Sequence, residues 1–228
     1  MSETKKLSGA FSDSKENKAL SILEEQCEKY SAVSACRDAV IQAYRVIRSS
    51  WEEGGTLFTA GNGGSCSDAI HITGELLKAF MIKRHVPDSL AEVLNASEDG
   101  KILSRNLEPA FRVVPLGINP ALRSAVDNDF KDANMCIAQE LYALASHGDV
   151  LINISTSGNA KNLHYAALLA KAIGVTVIGL TGCNGGLMRN DSDIVISVPE
   201  ARTPEIQAQH IQIYHALCMM LETSAEKA

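Results

Sequence analysis

Five short apolar runs, interleaved with helical stretches, do most to limit what this chain can fold into. They are TLFT (56–59), RVVPLG (112–117), VLINIS (150–155), VTVIGLT (175–181) and DIVISVP (193–199). Continuous apolar strands are buried on both faces, and strands spaced by helices run parallel. The expected fold is therefore α/β, with a doubly wound parallel sheet flanked by helices. Residues 15–51 carry two helical patterns ahead of the sheet, one through Leu20, Leu23 and Cys27, the other through Val33, Cys36, Val40, Tyr44 and Ile47. Gly54-Gly55 closes the second. A last helix is expected over 204–222, with Thr203 as N-cap and Pro204 at its first position. The stretch 83–110 breaks the strand–helix beat and reads as a short helical excursion between sheet units.

Composition removes several classes of function. At 228 residues the chain suits one large domain, and its net charge of −6 offers no footprint for nucleic acid or an acidic membrane. No run of about eighteen apolar residues is present, so no transmembrane helix is expected. Residues 1–14 read as a mobile tail without the apolar core of a secretory signal, leaving 15–228 as the domain. The six cysteines are scattered without a C-x-x-C pair, which suits a reducing cytoplasm.

Three strands end in glycine-containing turns: AGNGGS (60–65), STSGN (155–159) and TGCNGG (181–186). In an open parallel sheet such turns gather on the carboxyl edge, where ligands bind, and one compact site is the simplest expectation. The first turn fails both nucleotide patterns. Cys66 stands where a dinucleotide fingerprint needs its last glycine, and no lysine follows Gly64 as a P-loop requires. The second turn offers three consecutive hydroxyls, Ser155, Thr156 and Ser157, at a strand-to-helix junction. Hydroxyl donors beside unpaired helix N–H groups suit a phosphate monoester, whereas a helix cap would need only one of them. His71 and Glu75 share one helical face beyond the first turn; the spacing allows shared metal ligation, an oriented carboxylate or an ordinary exposed pair. On the last helix, Gln207, His210 and His215 bring polar groups among the packing positions Ile206, Ile213, Leu217 and Leu221. A Cys66 nucleophile at a helix N-terminus is a weaker reading, since no histidine is placed to serve it.

Taken in order, GNGGS, a His and Glu four apart, STSGN, TG-x-x-GG and Q-x-x-H-x-x-x-x-H resemble the SIS (sugar isomerase) domain, and more closely the phosphoheptose isomerases. The resemblance spans about residues 15–222. It implies a single SIS domain acting as an aldose–ketose isomerase that converts sedoheptulose 7-phosphate to D-glycero-D-manno-heptose 7-phosphate through an enediol. It further implies a cytoplasmic homotetramer with active sites at subunit interfaces and one zinc ion per site. By motif position the metal ligands would be His71, Glu75, Gln207 and His215, with Glu75 as base and His215 as its acid partner. Ser155, Thr156, Ser157 and Asn159 would hold the phosphate end. Asn62, Gly63, Gly64, Ser65, Gln207 and the pair Asn128-Asp129 would bind the sugar chain.

One spacing strains that set. Gln207 and His215 are eight apart, about 12 Å of unbroken helix, so one of them is expected from a neighbouring subunit if both bind one ion. The chain also departs from the family at Ala160 (usually serine), Ala79 (commonly arginine), Ala208 (usually glutamate) and around Cys66, where a histidine is usual. Non-catalytic SIS sensors and adaptors are the alternative, but they tend to lose the acid–base set that this chain keeps.

Overall fold

The computed structural model describes residues 14–225. The tail expected over 1–14 lies outside those residues except for Ser14, which opens the first helix. The elements in order are α1 (Ser14–Lys29), α2 (Ser31–Ala35), α3 (Arg37–Glu52), β1 (Leu57–Gly61), α4 (Gly64–Leu76), α5 (Asp88–Leu94), α6 (Glu98–Asn106), β2 (Val113–Pro115), α7 (Pro120–Asp129), α8 (Cys136–Leu144), β3 (Val150–Ser155), α9 (Lys161–Ala172), β4 (Thr176–Thr181), α10 (Met188–Asp191), β5 (Ile194–Ser197) and α11 (Thr203–Ala225). All five apolar runs form strands, and every pairing is parallel in the order β2-β1-β3-β4-β5. The chain therefore adopts the expected α/β fold.

Alternate strand residues feed two separate cores. Leu57, Val150, Ile152, Ile154 and Ile178 pack into the layer formed with α1, α3, α4 and α11. Phe58, Ala60, Leu151 and Val177 point the other way, into the layer with α8 and α9. This period-two sorting, with both faces buried, is why the strands read as continuous apolar runs.

Some local expectations are corrected. The second N-terminal pattern splits at Cys36, whose φ of −104° and ψ of 7° end α2 before α3 begins. The N-cap of α11 falls to Arg202, whose carbonyl accepts from Ile206 N–H, so Thr203 is already helical. The excursion holds α5 and α6, and Gly100 is the one buried residue of the two helices.

Strand order places the functional turns. The chain leaves β1 toward β2 on one side, then returns to lay β3 on the other side of β1. That reversal opens a crevice at the carboxyl ends of β1 and β3, and the turns after those strands are GNGGS and STSGN.

Candidate functional site

The turns at the carboxyl edge are fastened to one another by their own backbones. Gly158, at φ 68°, lies so close to the third turn that a Cβ there would stand 1.9 Å from the Gly185 carbonyl oxygen. Met188 N–H donates to the Gly158 carbonyl at 3.0 Å, and Gly182 N–H to that of Thr156 at 3.2 Å. Asn159 serves this junction: its Oδ1 accepts from Leu187 N–H at 3.1 Å and its amide donates to Ser157 O.

Two of the three hydroxyls are used within the turn, and none caps α9. Ser155 Oγ accepts from Gly158 N–H at 3.1 Å, and Ser157 Oγ accepts from Asn159 N–H at 3.3 Å. A hydroxyl that accepts keeps its own proton to donate, so both remain available to an anion. The first turn joins this cradle through a reciprocal amide pair, Asn62 to Asn162 at 3.0 Å and Asn162 to Asn62 at 2.8 Å. Gly63 forms the N-cap of α4, and Ser65 is buried in its first turn. Gln207 lies directly over Gly64, where a Cβ would meet its Nε2 at 2.3 Å. Asn128 and Asp129 bond each other, exposed at the end of α7. The loop behind them is tied to α9 by Asp132, which accepts from Lys161 Nζ at 2.7 Å and from Tyr165 at 3.0 Å. Those bonds, Lys161's foremost, hold the Asp132 carboxyl well below the usual carboxylate range.

A second group assembles deeper along α4. His71 Nε2 stands 2.9 Å from Glu75 Oε1, and His215 Nε2 stands 3.5 Å from His71 Nε2. The ligand atoms of His71, Glu75 and His215 lie within 4.8 Å of one another. Two nitrogens on one tetrahedral zinc, with bonds of about 2.0–2.1 Å, stand about 3.3 Å apart, so this donor set fits such an ion. Burial first, and the neighbouring His71 second, push the His215 pKa below the ordinary histidine value; Glu75 opposes them.

Gln207 does not join these three in the same chain. Helix α11 is unbroken and runs alongside α4 in the same direction, so Gln207 meets Gly64 while His215 meets His71. By helical rise the triad sits about 10–16 Å along α4 from the glycine turn. The three edge turns thus form one compact cluster, as expected, and the triad stands apart from it along α4.

Several supporting residues escaped the sequence. Tyr214 places its hydroxyl 2.8 Å from His71 Nδ1 and 3.4 Å from Asp68 Oδ1. Burial, then Asp68, raise its phenol well above the ordinary value, and burial raises Asp68. Glu222 accepts from the backbone N–H groups of Phe80 at 2.7 Å and Met81 at 2.8 Å, and faces Arg84 at 3.5 Å, with both side chains almost fully buried. This clamp holds the Phe80 ring 5.3 Å from that of His215. A lone glutamate seven residues after His215, in the apolar run ALCMMLE, was the legible signal for it. His164 is half-buried against Asp191 at 2.7 Å. Cys66 is a free thiol, and His71 turns to Glu75 and Tyr214 instead of serving it.

Comparison with known proteins follows the same lines. The SIS domain family model matches residues 132–227. Phosphoheptose isomerase of Burkholderia pseudomallei is 35% identical over 172 residues, 75% of this chain and 75% of that protein. Its counterpart in Rhodospirillum rubrum is 34% identical over 82% of this chain and 86% of its own length. The solved phosphoheptose isomerase of Francisella tularensis superposes with a TM-score of 0.68 at 28% identity, covering 90% of this chain and 96% of that one.

Proposed function

The chain belongs to the phosphoheptose isomerase family of SIS-domain enzymes, and from that membership we propose that it interconverts sedoheptulose 7-phosphate and D-glycero-D-manno-heptose 7-phosphate. The observation that carries the reading is the convergence of His71, Glu75 and His215 from two packed helices. Glu75 takes a proton from C1 of the ketose and returns it to C2, passing through an enediol. His215, kept neutral by its burial, accepts and donates the hydroxyl proton as it moves between O1 and O2. Ser155, Thr156 and Ser157 hold the phosphate, while Asn62, Ser65 and Asn128-Asp129 orient the hydroxyl chain. His71, Glu75 and His215 would hold a zinc ion, which when bound would supply Lewis-acid polarisation of the substrate oxygens in place of proton shuttling by the ligated His215.

The site is completed by a second copy in a homotetramer. The separation of edge turns from triad supports this, as do the exposed apolar residues Ile70, Leu77 and Met81 on and just after α4. Since His215 already stands with His71 and Glu75, Gln207 is the residue a neighbour contributes. A variant made monomeric by polar substitution at Leu77 and Met81 is expected to lose zinc affinity about tenfold or more; unchanged affinity in the monomer refutes the shared site. No helix among the described residues is long and apolar enough to cross a membrane. All six cysteines are free thiols, which supports a cytoplasmic location.

The deciding assay incubates the purified protein with a panel of ketose phosphates, with and without a chelator, and follows aldose formation. Conversion of the heptose substrate is expected. Turnover of a hexose phosphate alone overturns the substrate, and tight phosphosugar binding with no conversion of any substrate overturns catalysis in favour of a sensor.

A further inference from the structure

The imidazole of His71 is gripped from both sides, and a metal ion on it demands a different tautomer from the one those grips set. A neutral imidazole carries one N–H, and an ionised carboxylate only accepts. With Glu75 Oε1 at 2.9 Å from Nε2, the proton sits on Nε2, and Nδ1 accepts from the Tyr214 hydroxyl at 2.8 Å. Tyr214 then has no proton left for Asp68, 3.4 Å away, whose other oxygen Oδ2 is buried without a hydrogen-bond partner among the described residues. A metal ion on Nε2 inverts the arrangement. The imidazole proton must then reside on Nδ1, where the Tyr214 oxygen accepts it, and the freed Tyr214 O–H turns to the Asp68 carboxylate. Nε2 loses one proton and Nδ1 gains one, exchanged through water, and neither Tyr214 nor Asp68 changes its charge.

We propose that Asp68 and Tyr214 form a two-position hydroxyl relay that lets His71 present Nε2 to a metal ion while every buried donor stays paired. Asp68 lies three residues before His71 on one face of α4, and Tyr214 comes from α11 with only 2% of its surface exposed. Both are positioning residues that touch neither the substrate nor the ion. Without the hydroxyl, the Nδ1–H of a metal-binding His71 faces a phenyl edge and loses its partner, which carries a cost. Without the Asp68 charge, the hydroxyl has no acceptor to turn to. The relay rests on the reading of His71 as a metal ligand.

The test is zinc titration by calorimetry on the metal-stripped full-length protein, as wild type, Tyr214→Phe, Asp68→Asn and the double variant. Each single change is expected to weaken zinc binding about tenfold, within the range for residues behind a ligand. The double variant is expected to lose little more than the worse single one, because the two act in series. Nitrogen-15 spectra of His71 are expected to show Nε2–H before zinc and Nδ1–H after it in the wild type. Zinc binding by Tyr214→Phe at wild-type affinity overturns the relay and leaves the metal site standing, as do losses that simply add in the double variant. A wild type that binds no zinc overturns the metal reading itself, and the relay with it. Thermal unfolding of the metal-free Tyr214→Phe protein at the wild-type midpoint separates the effect from loss of fold.

Discussion

The triad on α4 and α11 and the turns on the carboxyl edge are built in opposite ways. His71, Glu75 and His215 are fixed by two long helices packed side by side, with Tyr214, Asp68 and the buried Glu222–Arg84 clamp behind them. The edge turns are fixed by glycines in close backbone contact and by exposed amide pairs such as Asn62–Asn162. One region holds the groups proposed to move protons and is half-buried before any ligand arrives. The other keeps the hydroxyl protons of Ser155, buried, and Ser157, exposed, free to donate. Rigid support belongs where a reacting atom must be met at a fixed distance, whereas a phosphate is caught by several replaceable donors. Damage to the first region should therefore appear in kcat and stability, and damage to the second in KM.

Metal removal is the strongest way to separate the two. Chelation is expected to lower kcat about a thousandfold, equivalent to about 4 kcal/mol, with added zinc restoring it and phosphate-end affinity little changed. Next comes the clamp behind the triad. Glu222→Ala leaves Arg84 buried without its charge partner and two backbone N–H groups unmet, so denaturant unfolding should show a loss of about 3–5 kcal/mol. His210 probes the helix that joins the regions, since it lies between Gln207 and His215 and burial lowers its pKa to about 4. Its neutral form is favoured in the fold, so the unfolded chain takes up the proton first as pH falls. Stability is unaffected above about pH 6.5 and drops by about 3 kcal/mol between 6.5 and 4; His210→Gln should flatten that slope. The smallest effect is expected at the edge: Ser157→Ala should raise KM about tenfold with kcat nearly unchanged, as one charge-assisted hydrogen bond is lost. A tenfold fall in kcat there would erase the distinction between the regions.

Periodicity made the fold legible. Each strand run is apolar on both faces because both cores need it, as in other parallel sheets covered by helices. The STSGN hydroxyls and the His71–Glu75 pair were also legible, being local in sequence. Convergence across distance was not. Tyr214 beside His215 looks like one more apolar residue, and only the packing of α11 on α4 reveals that its hydroxyl meets His71 Nδ1. The turns did gather on one edge as expected, but they say nothing about how far along α4 its side chains project. Gln207 shows the converse, since its eight-residue distance from His215 on one helix was countable from the sequence, and the unbroken α11 keeps them apart.

The decisive measurement is turnover of sedoheptulose 7-phosphate by Glu75→Gln, followed by NMR in deuterated water beside the wild type. The wild type is predicted to form the aldose and to exchange substrate hydrogen with solvent. Glu75→Gln is predicted to lose both by about a thousandfold while KM stays within about threefold, as expected of a general base. Aldose formation by the variant within about tenfold of the wild-type rate would contradict the assignment of proton transfer to the α4–α11 triad.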